Sequence, residues 1–351
     1  MAPERARHHR FRSAIGLFLL APLIGEFLLG NQPVTALPSV FLLAPLYGGG
    51  ALLVREAARR AGRGWPTMIL LGAAYALVEE GLVDQMLWNP HYGGFDLGAA
   101  YAGFRVPLLD TSVQLLQDVL TMHTVWSICV PIALVEAFAR DGDRTRPWLG
   151  LPGLSVTALV FAAGSGFLAL AQVESEDFTA TPAQFAGAGL VVAALITAAF
   201  LCRPPGARHG TGRRPPAPWA VGALSFAATS AYWGREYLPD GVPAVVPVIG
   251  WAVLLAAVLV PCVRWARSER WSGAHRTGLA GGALLTYAWV GFEQGRYLDV
   301  SRATGLIGGA VFTAGALVLL AAAARAGTES DARSGARSGA DRVPGSPPPL
   351  V

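Results

Sequence analysis

The sequence predicts an all-α fold, a polytopic transmembrane helix bundle of about ten spans with both termini in the cytoplasm. Of the 351 residues, 53% are hydrophobic and only 14% are charged, whereas about a quarter of the residues in a soluble domain are charged. The mean hydropathy is +0.45. Apolar runs of about 20 residues, each long enough to cross a bilayer core, recur along the chain. A spanning segment must satisfy its backbone internally, so each run is predicted to be a helix.

The ten predicted spans follow one another with short polar connections. The first run follows a basic start, as in a signal peptide, but it is about 19 residues long and lacks a small-x-small cleavage site, so we expect a retained helix. Three glycines in the second span ("YGGGALL") predict close helix packing. The spans are, roughly, 12–30, 34–54, 67–88, 113–137, 151–172, 185–202, 217–238, 245–263, 278–295 and 304–325.

Arginine positions predict the orientation. The chain has 27 basic residues, all arginine, and the connections on one side of the predicted bundle carry most of them. The other side holds Arg105, Arg235, Arg296 and Arg302. Cytoplasmic connections are enriched in basic residues, which places both termini inside, in a multi-pass protein of a bacterial cytoplasmic membrane. The basic excess is explained by topology, and the absence of a basic patch interleaved with stacking aromatics argues against nucleic-acid binding.

Composition divides the chain into five parts. The segment "RPPGARHGTGRRPPAP" reads as a flexible linker, and the polar, Gly/Pro/Ser-rich end of the chain predicts disorder. The parts are a basic cytoplasmic tail (1–11), a six-span bundle with a candidate polar site (12–202), a cytoplasmic linker (203–216), a four-span bundle (217–325) and a disordered tail (326–351).

The stretch "LVEEGLVDQ" places carboxylates in an apolar run that is otherwise typical of a membrane span. With a rise of about 1.5 Å per residue, Glu80 lies roughly 20 Å from the cytoplasmic end of span three, and His123 lies roughly 15 Å below the outer end of span four. Glu79, Glu80 and His123 therefore share a depth just outside the midplane. The two spans are consecutive and antiparallel, which favours their being adjacent.

Helical spacing predicts which of these residues lie on the same face of their span. Glu80 and Asp84 are four residues apart and share one face, whereas Glu79 and Glu80 are about 100° apart and are not expected to face one point squarely. A histidine at this depth can take or give a proton near neutral pH, with a neighbouring carboxylate fixing its tautomer. A buried glutamate can act as a general base. Glu79, Glu80 and His123 are therefore the candidate catalytic residues.

Further charged residues occur in the outer half of the predicted bundle. Charged residues inside spans usually face the bundle interior or a wet cavity, so we expect a polar cavity open toward the outer side. The alternative is mutual neutralisation, with Glu293–Arg296 and Arg235 with a carboxylate as ion pairs that pin helices together. The supporting polar residues are Asp84, Asp118, Glu26, Arg235, Glu236, Glu293 and Arg296.

The paired glutamates on one span and the histidine on the next resemble the CPBP intramembrane proteases, the family of the CAAX-processing enzymes. "EEGLVD" matches the paired glutamates of that family's EExxxR motif, with Asp84 in place of the arginine. Val119–His123 corresponds to its FxxxH motif, with Val119 in place of phenylalanine, and its last motif, a histidine four residues before an asparagine, is missing. The resemblance implies a helix bundle whose glutamate, assisted by histidine, activates water against a peptide bond.

A longer part of the N-terminal half looks like a set of uncharacterised prokaryotic multi-span membrane proteins. The similar stretches are "APLIGEFLLGNQP", "YGGGALLVREAARR", "AYALVEEGLVDQ" and "MHTVWSICVPIALVE". This resemblance implies no activity.

Three functions remain open from the sequence. The first is an intramembrane hydrolase with Glu79, Glu80 and His123 at its centre, which works without a cofactor. A variant of this hypothesis uses a divalent metal, since carboxylates with histidine suit zinc or manganese. Its ligands would be Glu79 or Glu80, together with His123, Asp84 and Asp118. The second is a proton-coupled transporter, because acidic residues at membrane depth are typical of proton relays. The third is a non-catalytic membrane scaffold. The lipid bilayer is the one partner expected; a protein partner is unknown.

Overall fold

The computed structural model describes residues 2–94, 104–106, 110–201, 213–239 and 241–340, and the side chains within these ranges except those of 2–7, 141 and 328–340. Eleven α-helices account for most of this part. They are α1 (Ala2–Pro22), α2 (Val40–Arg60), α3 (Trp65–Leu77), α4 (Val113–Met122), α5 (Val130–Phe138), α6 (Leu151–Glu176), α7 (Pro182–Leu201), α8 (Pro218–Gly234), α9 (Val245–Trp265), α10 (Gly273–Gln294) and α11 (Arg302–Ala340).

Three π-helical segments continue α1, α3 and α4 without a break. They are Leu23–Leu28, Val78–Val83 and His123–Cys129. Short 3-10 turns form Val34–Ser39, Tyr92–Gly94, Asp141–Asp143 and Arg235–Tyr237. The described residues include one small antiparallel ribbon, β1 (Arg105–Val106) with β2 (Thr111–Ser112). The all-α prediction is confirmed.

Every predicted span coincides with a helix. Among the described residues, eight helices are long and apolar enough to cross a membrane, which confirms a polytopic helix bundle. The other two are α8, which is only 17 residues long, and α10, which starts with a polar turn around His275 and Arg276. Helix α11 extends to Ala340, beyond the predicted end of the last span at 325, and residues 341–351 of the predicted disordered tail lie outside the described residues.

The outer helices of the bundle expose their apolar side chains. Helix α9 contains no buried residue and α6 contains one, Thr157. Leu159, Leu170 and Val253 are each more than half exposed. An exposed apolar surface of this extent marks a contact with a membrane or a protein, and both helices are long and apolar enough to cross a bilayer. The protein is therefore an integral membrane protein, with α6 and α9 on the lipid-facing side.

The interior joins helices from both halves of the chain. The indole of Trp126 stacks on Tyr287 with ring centroids 4.3 Å apart, and its Nε1 donates to the Ala283 carbonyl at 2.8 Å. Helices α8 and α10 touch backbone to backbone, since a Cβ at Gly282 would lie 2.2 Å from the Gly222 carbonyl oxygen. That the 203–216 linker separates two bundles which fold as independent units stays a prediction.

The glycines of "YGGGALL" allow the close packing that the sequence predicts. A Cβ at Gly48 would lie 1.9 Å from the Phe18 carbonyl oxygen, and a Cβ at Gly50 would lie 2.2 Å from the Tyr75 ring. Helix α2 thus packs directly against α1 and α3. This packing sets the distance between the helices that carry the candidate site.

Candidate functional site

The candidate site is built on the three π-helical segments. A π-turn bonds each N–H to the carbonyl five residues earlier, which widens the helix, and such turns are frequent at functional sites. The Asp84 N–H donates to the Glu79 carbonyl at 2.7 Å, and the Asn31 N–H to the Glu26 carbonyl at 2.9 Å. The segments carry Glu26, then Glu79 and Glu80, then His123 and Ser127.

His123 lies between the two adjacent glutamates. Its Nε2 is 2.7 Å from Glu80 Oε1, in hydrogen-bonding geometry, and its Nδ1 is 2.6 Å from Glu79 Oε2. Ser127 Oγ lies 3.2 Å from the same Nδ1. The structure therefore brings the three predicted catalytic residues into direct contact, with one carboxylate at each ring nitrogen.

His123 has polar neighbours at both ring nitrogens. An ionised carboxylate only accepts hydrogen bonds, and a neutral imidazole donates from one nitrogen alone. Nε2 has hydrogen-bond geometry to Glu80 Oε1 and Nδ1 has it to Ser127 Oγ, whereas the short contact of Nδ1 with Glu79 Oε2 lacks that geometry. A proton on Nε2 therefore links His123 to Glu80, and the Ser127 hydroxyl can donate to Nδ1.

Unused acceptor capacity remains at the glutamates. No described residue forms a hydrogen bond of good geometry with Glu80 Oε2 or with either carboxylate oxygen of Glu79. Buried polar atoms are nearly always satisfied by protein or by ordered water. These oxygens are therefore the atoms at which water or a proton is expected to bind.

The site is enclosed rather than open. The exposed fractions of Glu79, Glu80 and His123 are 0%, 5% and 7%. The polar cavity open to the outer side that the sequence suggested is not formed around these residues, because their side chains pack in contact with each other. Asp84 follows directly and interacts electrostatically with Glu79, Glu80 and His123, and Tyr92 lies near Asp84 and Glu80.

The segment after Asp84 closes this end of the site and is tied to the connection between α6 and α7. Gln85 Oε1 accepts the Ala180 N–H at 2.7 Å. Asn89 Nδ2 donates to Glu176 Oε2 at 3.1 Å, and the same carboxylate accepts the Gly93 N–H. These bonds tie residues 85–93 to residues 176–180.

Two tyrosines complete the site from α2 and α3. The Tyr47 hydroxyl donates to Glu26 Oε1, and Tyr75 lies next to Glu79. Gly25 allows this approach, since a Cβ there would lie 3.0 Å from the Tyr47 ring and 3.4 Å from Ser127 Oγ. Sequence reasoning missed Tyr47, because no periodic signal links it to a glutamate 21 residues earlier.

Asp118, Arg235 and Glu236 form a separate group. Arg235 Nη2 donates to Asp118 Oδ1, its guanidinium lies 4.1 Å from the ring centroid of Tyr232, and Glu236 Oε1 is 3.5 Å from its Nε. This arrangement matches the ion-pair alternative from the sequence. It commits Asp118 to Arg235, so the metal variant that included Asp118 with His123 loses that ligand. Within the described residues, no group of three His, Cys, Asp or Glu side chains has the arrangement of a metal site.

Glu293 and Arg296 are also a pair, and they lie at the surface. Their side chains are 3.0 Å apart at the end of α10, with exposed fractions of 36% and 69%. An exposed pair of this kind contributes little to stability. The structure therefore separates these two residues from the buried site.

A second buried polar group was not predicted from the sequence, which assigned Arg55 and Arg59 to a basic cytoplasmic connection. Arg55 and Arg59 both donate to Glu136, and Arg55 also donates to Glu56. The Arg55 guanidinium lies 3.3 Å from the ring centroid of Trp148. The available signal was a glutamate near the end of span four, but its partners lie on α2, and which helices touch is a property of the folded bundle.

Comparison with known proteins identifies the family of this chain but does not assign an activity to it. No curated protein and no solved structure matches the chain, and the resemblance to CPBP proteases stays a hypothesis. One family model, described as "Uncharacterized membrane protein family", matches residues 17–328. This match covers most of the chain and agrees with the second resemblance. The chain therefore belongs to this uncharacterized membrane protein family.

Proposed function

We propose that this protein is an intramembrane hydrolase whose catalytic centre is Glu79, Glu80 and His123. The observation that carries the proposal is the contact of both imidazole nitrogens with carboxylates, at 2.6 and 2.7 Å. A base hydrogen-bonded to a second group and oriented by a third is the common arrangement of activated nucleophiles. The segments that hold these residues are π-helical, as is frequent at functional sites.

The proposed chemistry is hydrolysis of an amide bond. Glu80 accepts a proton from water through its unbonded Oε2, and the water oxygen bonds to the carbonyl carbon of the substrate. The C–N bond then breaks, and the amine leaves with the proton that the Glu80–His123 pair returns to it. Glu79 holds the ring from its Nδ1 side and compensates its charge. The products are a carboxylic acid and an amine.

Enclosure suits this chemistry. A site away from bulk water strengthens the interactions among its charges and limits side reactions. Substrate entry then requires the outer connection at residues 84–94 to separate from Glu176. The arrangement of the described residues does not favour the metal variant with Glu80, His123 and Asp84 as ligands, and metal analysis of the purified wild-type protein and the Glu80→Gln variant tests it.

The test compares the N-termini of membrane proteins in cells that express different variants. We expect N-termini that are present with the wild type and absent with Glu80→Gln and with His123→Gln. The matched control is Glu293→Gln, which removes an exposed carboxylate far from the site and is expected to leave the wild-type pattern. Identical patterns for the wild type and Glu80→Gln, at equal amounts of folded protein, would contradict the proposal.

A proton-coupled transporter is the second candidate. The observation that favours it is the cluster of buried and half-buried acidic groups, since Glu26, Glu79, Glu80 and Asp84 interact with one another, and such groups are typical of proton relays. Proteoliposomes with an internal pH dye and an imposed potential distinguish the two. Proton flux that Glu80→Gln abolishes would favour transport over hydrolysis.

We also propose that the protein lies in a bacterial cytoplasmic membrane with both termini inside. The arginine distribution along the sequence supports this orientation. Among the described residues, eight helices are long and apolar enough to cross a membrane, and an even number of spans agrees with termini on one side.

A further inference from the structure

A cavity of about 650 Å³ lies far from the glutamates, between the start of α8 and the end of α9. Its volume is that of a typical small-molecule site. Three arginines and an indole meet there with several apolar groups. The lining residues are Arg213, Arg214, Pro215, Pro216, Ala217, Pro261, Arg264 and Trp265.

The three arginines have no negative partner within the protein as described. No described residue forms a hydrogen bond or an ion pair with the side chain of Arg213, Arg214 or Arg264. All three residues are exposed, so their guanidinium groups are accessible to a ligand at the mouth of the cavity. Three unpaired guanidinium groups around one cavity favour an anionic occupant with oxygen acceptors, because guanidinium binds phosphate by charge and by paired N–H donors.

The wall of the cavity is held in place by α10. The Nδ1 atom of His275 accepts the Ser272 N–H at 3.1 Å, so the ring proton lies on Nε2, which donates to the Pro216 carbonyl at 3.1 Å. Trp271 stacks on His275 and on Trp265. Two consecutive prolines further restrict the backbone of this wall.

The cavity lies at the end of a candidate membrane span, and this position favours a lipid as its ligand. Helix α9 is a candidate membrane span that ends at Trp265, so Arg264 lies at the depth where tryptophan and arginine meet headgroups. The proline, alanine and indole surfaces beside the arginines suit the glycerol and upper acyl groups of a lipid. Basic pockets between spans at this depth are suited to acidic headgroups.

We propose that this cavity binds the phosphodiester headgroup of an anionic membrane lipid. The proposal is independent of the hydrolase and rests on the three arginines and the wall that His275 fixes. Phosphatidylglycerol is the probe, and phosphatidylcholine, which has a phosphodiester but no net charge, is the comparison lipid.

Native mass spectrometry of the full-length protein in detergent, titrated with each lipid, measures the preference. We expect the wild type to retain phosphatidylglycerol more strongly than phosphatidylcholine. Each arginine near an acidic headgroup strengthens binding by about fivefold, so Arg213→Gln/Arg214→Gln/Arg264→Gln is expected to weaken it by about 100-fold. The matched control removes three exposed arginines at the same end of the bundle but outside the cavity, Arg140→Gln/Arg267→Gln/Arg270→Gln, and is expected to keep the preference.

Three results would overturn the proposal: equal retention of the two lipids by the wild type, an equal loss in the control variant, or complete displacement of phosphatidylglycerol by millimolar inorganic phosphate. The last result would assign the site to free phosphate. If the triple variant does not fold, Arg264→Gln alone is measured, with an expected loss of about fivefold.

Discussion

At the residue scale, His123 lies between the carboxylates of Glu79 and Glu80 and contacts both. Replacing it by leucine leaves Glu79 and Glu80 buried without the ring that bridges them. Removing one partner of a buried charged group costs about 3–5 kcal/mol, because the remaining charges are uncompensated. We expect His123→Leu to lower the free energy of unfolding by about this amount, measured by tryptophan fluorescence during denaturation in detergent.

The partner variant is Glu79→Gln/Glu80→Gln/His123→Leu. Replacing a whole buried charged group by neutral residues is often close to neutral for stability, so the triple variant is expected to be more stable than His123→Leu alone. Both variants are expected to lack activity. A triple variant that is less stable than His123→Leu would show that the glutamates are stabilised by groups other than the histidine.

The candidate residues could be predicted from sequence, but their arrangement could not. Depth and polarity identify Glu79, Glu80 and His123, because charge is costly inside a span. Helical spacing indicates that the two glutamates point about 100° apart and suggests that they do not share one target. Both glutamates contact His123 because an imidazole ring can hold one carboxylate at each of its two nitrogens. The π-turns also alter the helical spacing, and no sequence signal marked these turns.

At the element scale, Gly50 sets the separation of α2 and α3. A Cβ at this position would lie 2.2 Å from the Tyr75 ring, and Tyr75 lies one turn before Glu79. We expect Gly50→Ala to destabilise the protein by about 1–3 kcal/mol, as overpacking does, and to displace Glu79 from His123. Thermal unfolding together with the N-terminus assay measures both effects.

Gly166→Ala is the control for this substitution. Gly166 lies within α6, and a Cβ there meets no atom within 4 Å. Alanine favours the helix by about 0.5–1 kcal/mol over glycine, so this variant is expected to be as stable as the wild type or slightly more stable. Equal behaviour of the two variants would mean that α2 and α3 move apart without loss.

A second prediction at this scale concerns the ion pairs between α2 and α5. Glu136 binds Arg59 through both carboxylate oxygens, at 2.9 and 2.8 Å, and Arg55 at 3.0 Å. Glu136→Gln leaves two buried guanidinium groups with reduced compensation, and we expect a loss of about 3 kcal/mol in the free energy of unfolding. Glu293→Gln, in an exposed pair, is expected to lose at most about 1 kcal/mol. Equal losses in the two variants would contradict the structural role of Glu136.

At the scale of the whole molecule, hydropathy predicted the helices but not their neighbours. Apolar runs of sufficient length must be helices in lipid, and all ten predicted spans coincide with helices. Which helices touch depends on small residues such as Gly48, Gly222 and Gly282, where backbones meet. The sequence shows that these glycines exist, but the partner of each one is a property of the folded bundle. The pairing of Trp126 with Tyr287 is of the same kind.

Orientation is the last property at this scale, and two engineered cysteines test it. Gly142 lies after α5 in an arginine-rich connection, and Ser301 lies between α10 and α11; both are exposed. Because basic connections stay inside, a membrane-impermeant maleimide is expected to label Ser301→Cys but not Gly142→Cys in intact cells. Permeabilised cells are expected to label both, which shows that each thiol is reactive, and the unsubstituted protein corrects for its own cysteines. Labelling of Gly142→Cys in intact cells would reverse the orientation and place the closed end of the candidate site, at residues 84–94, on the cytoplasmic side.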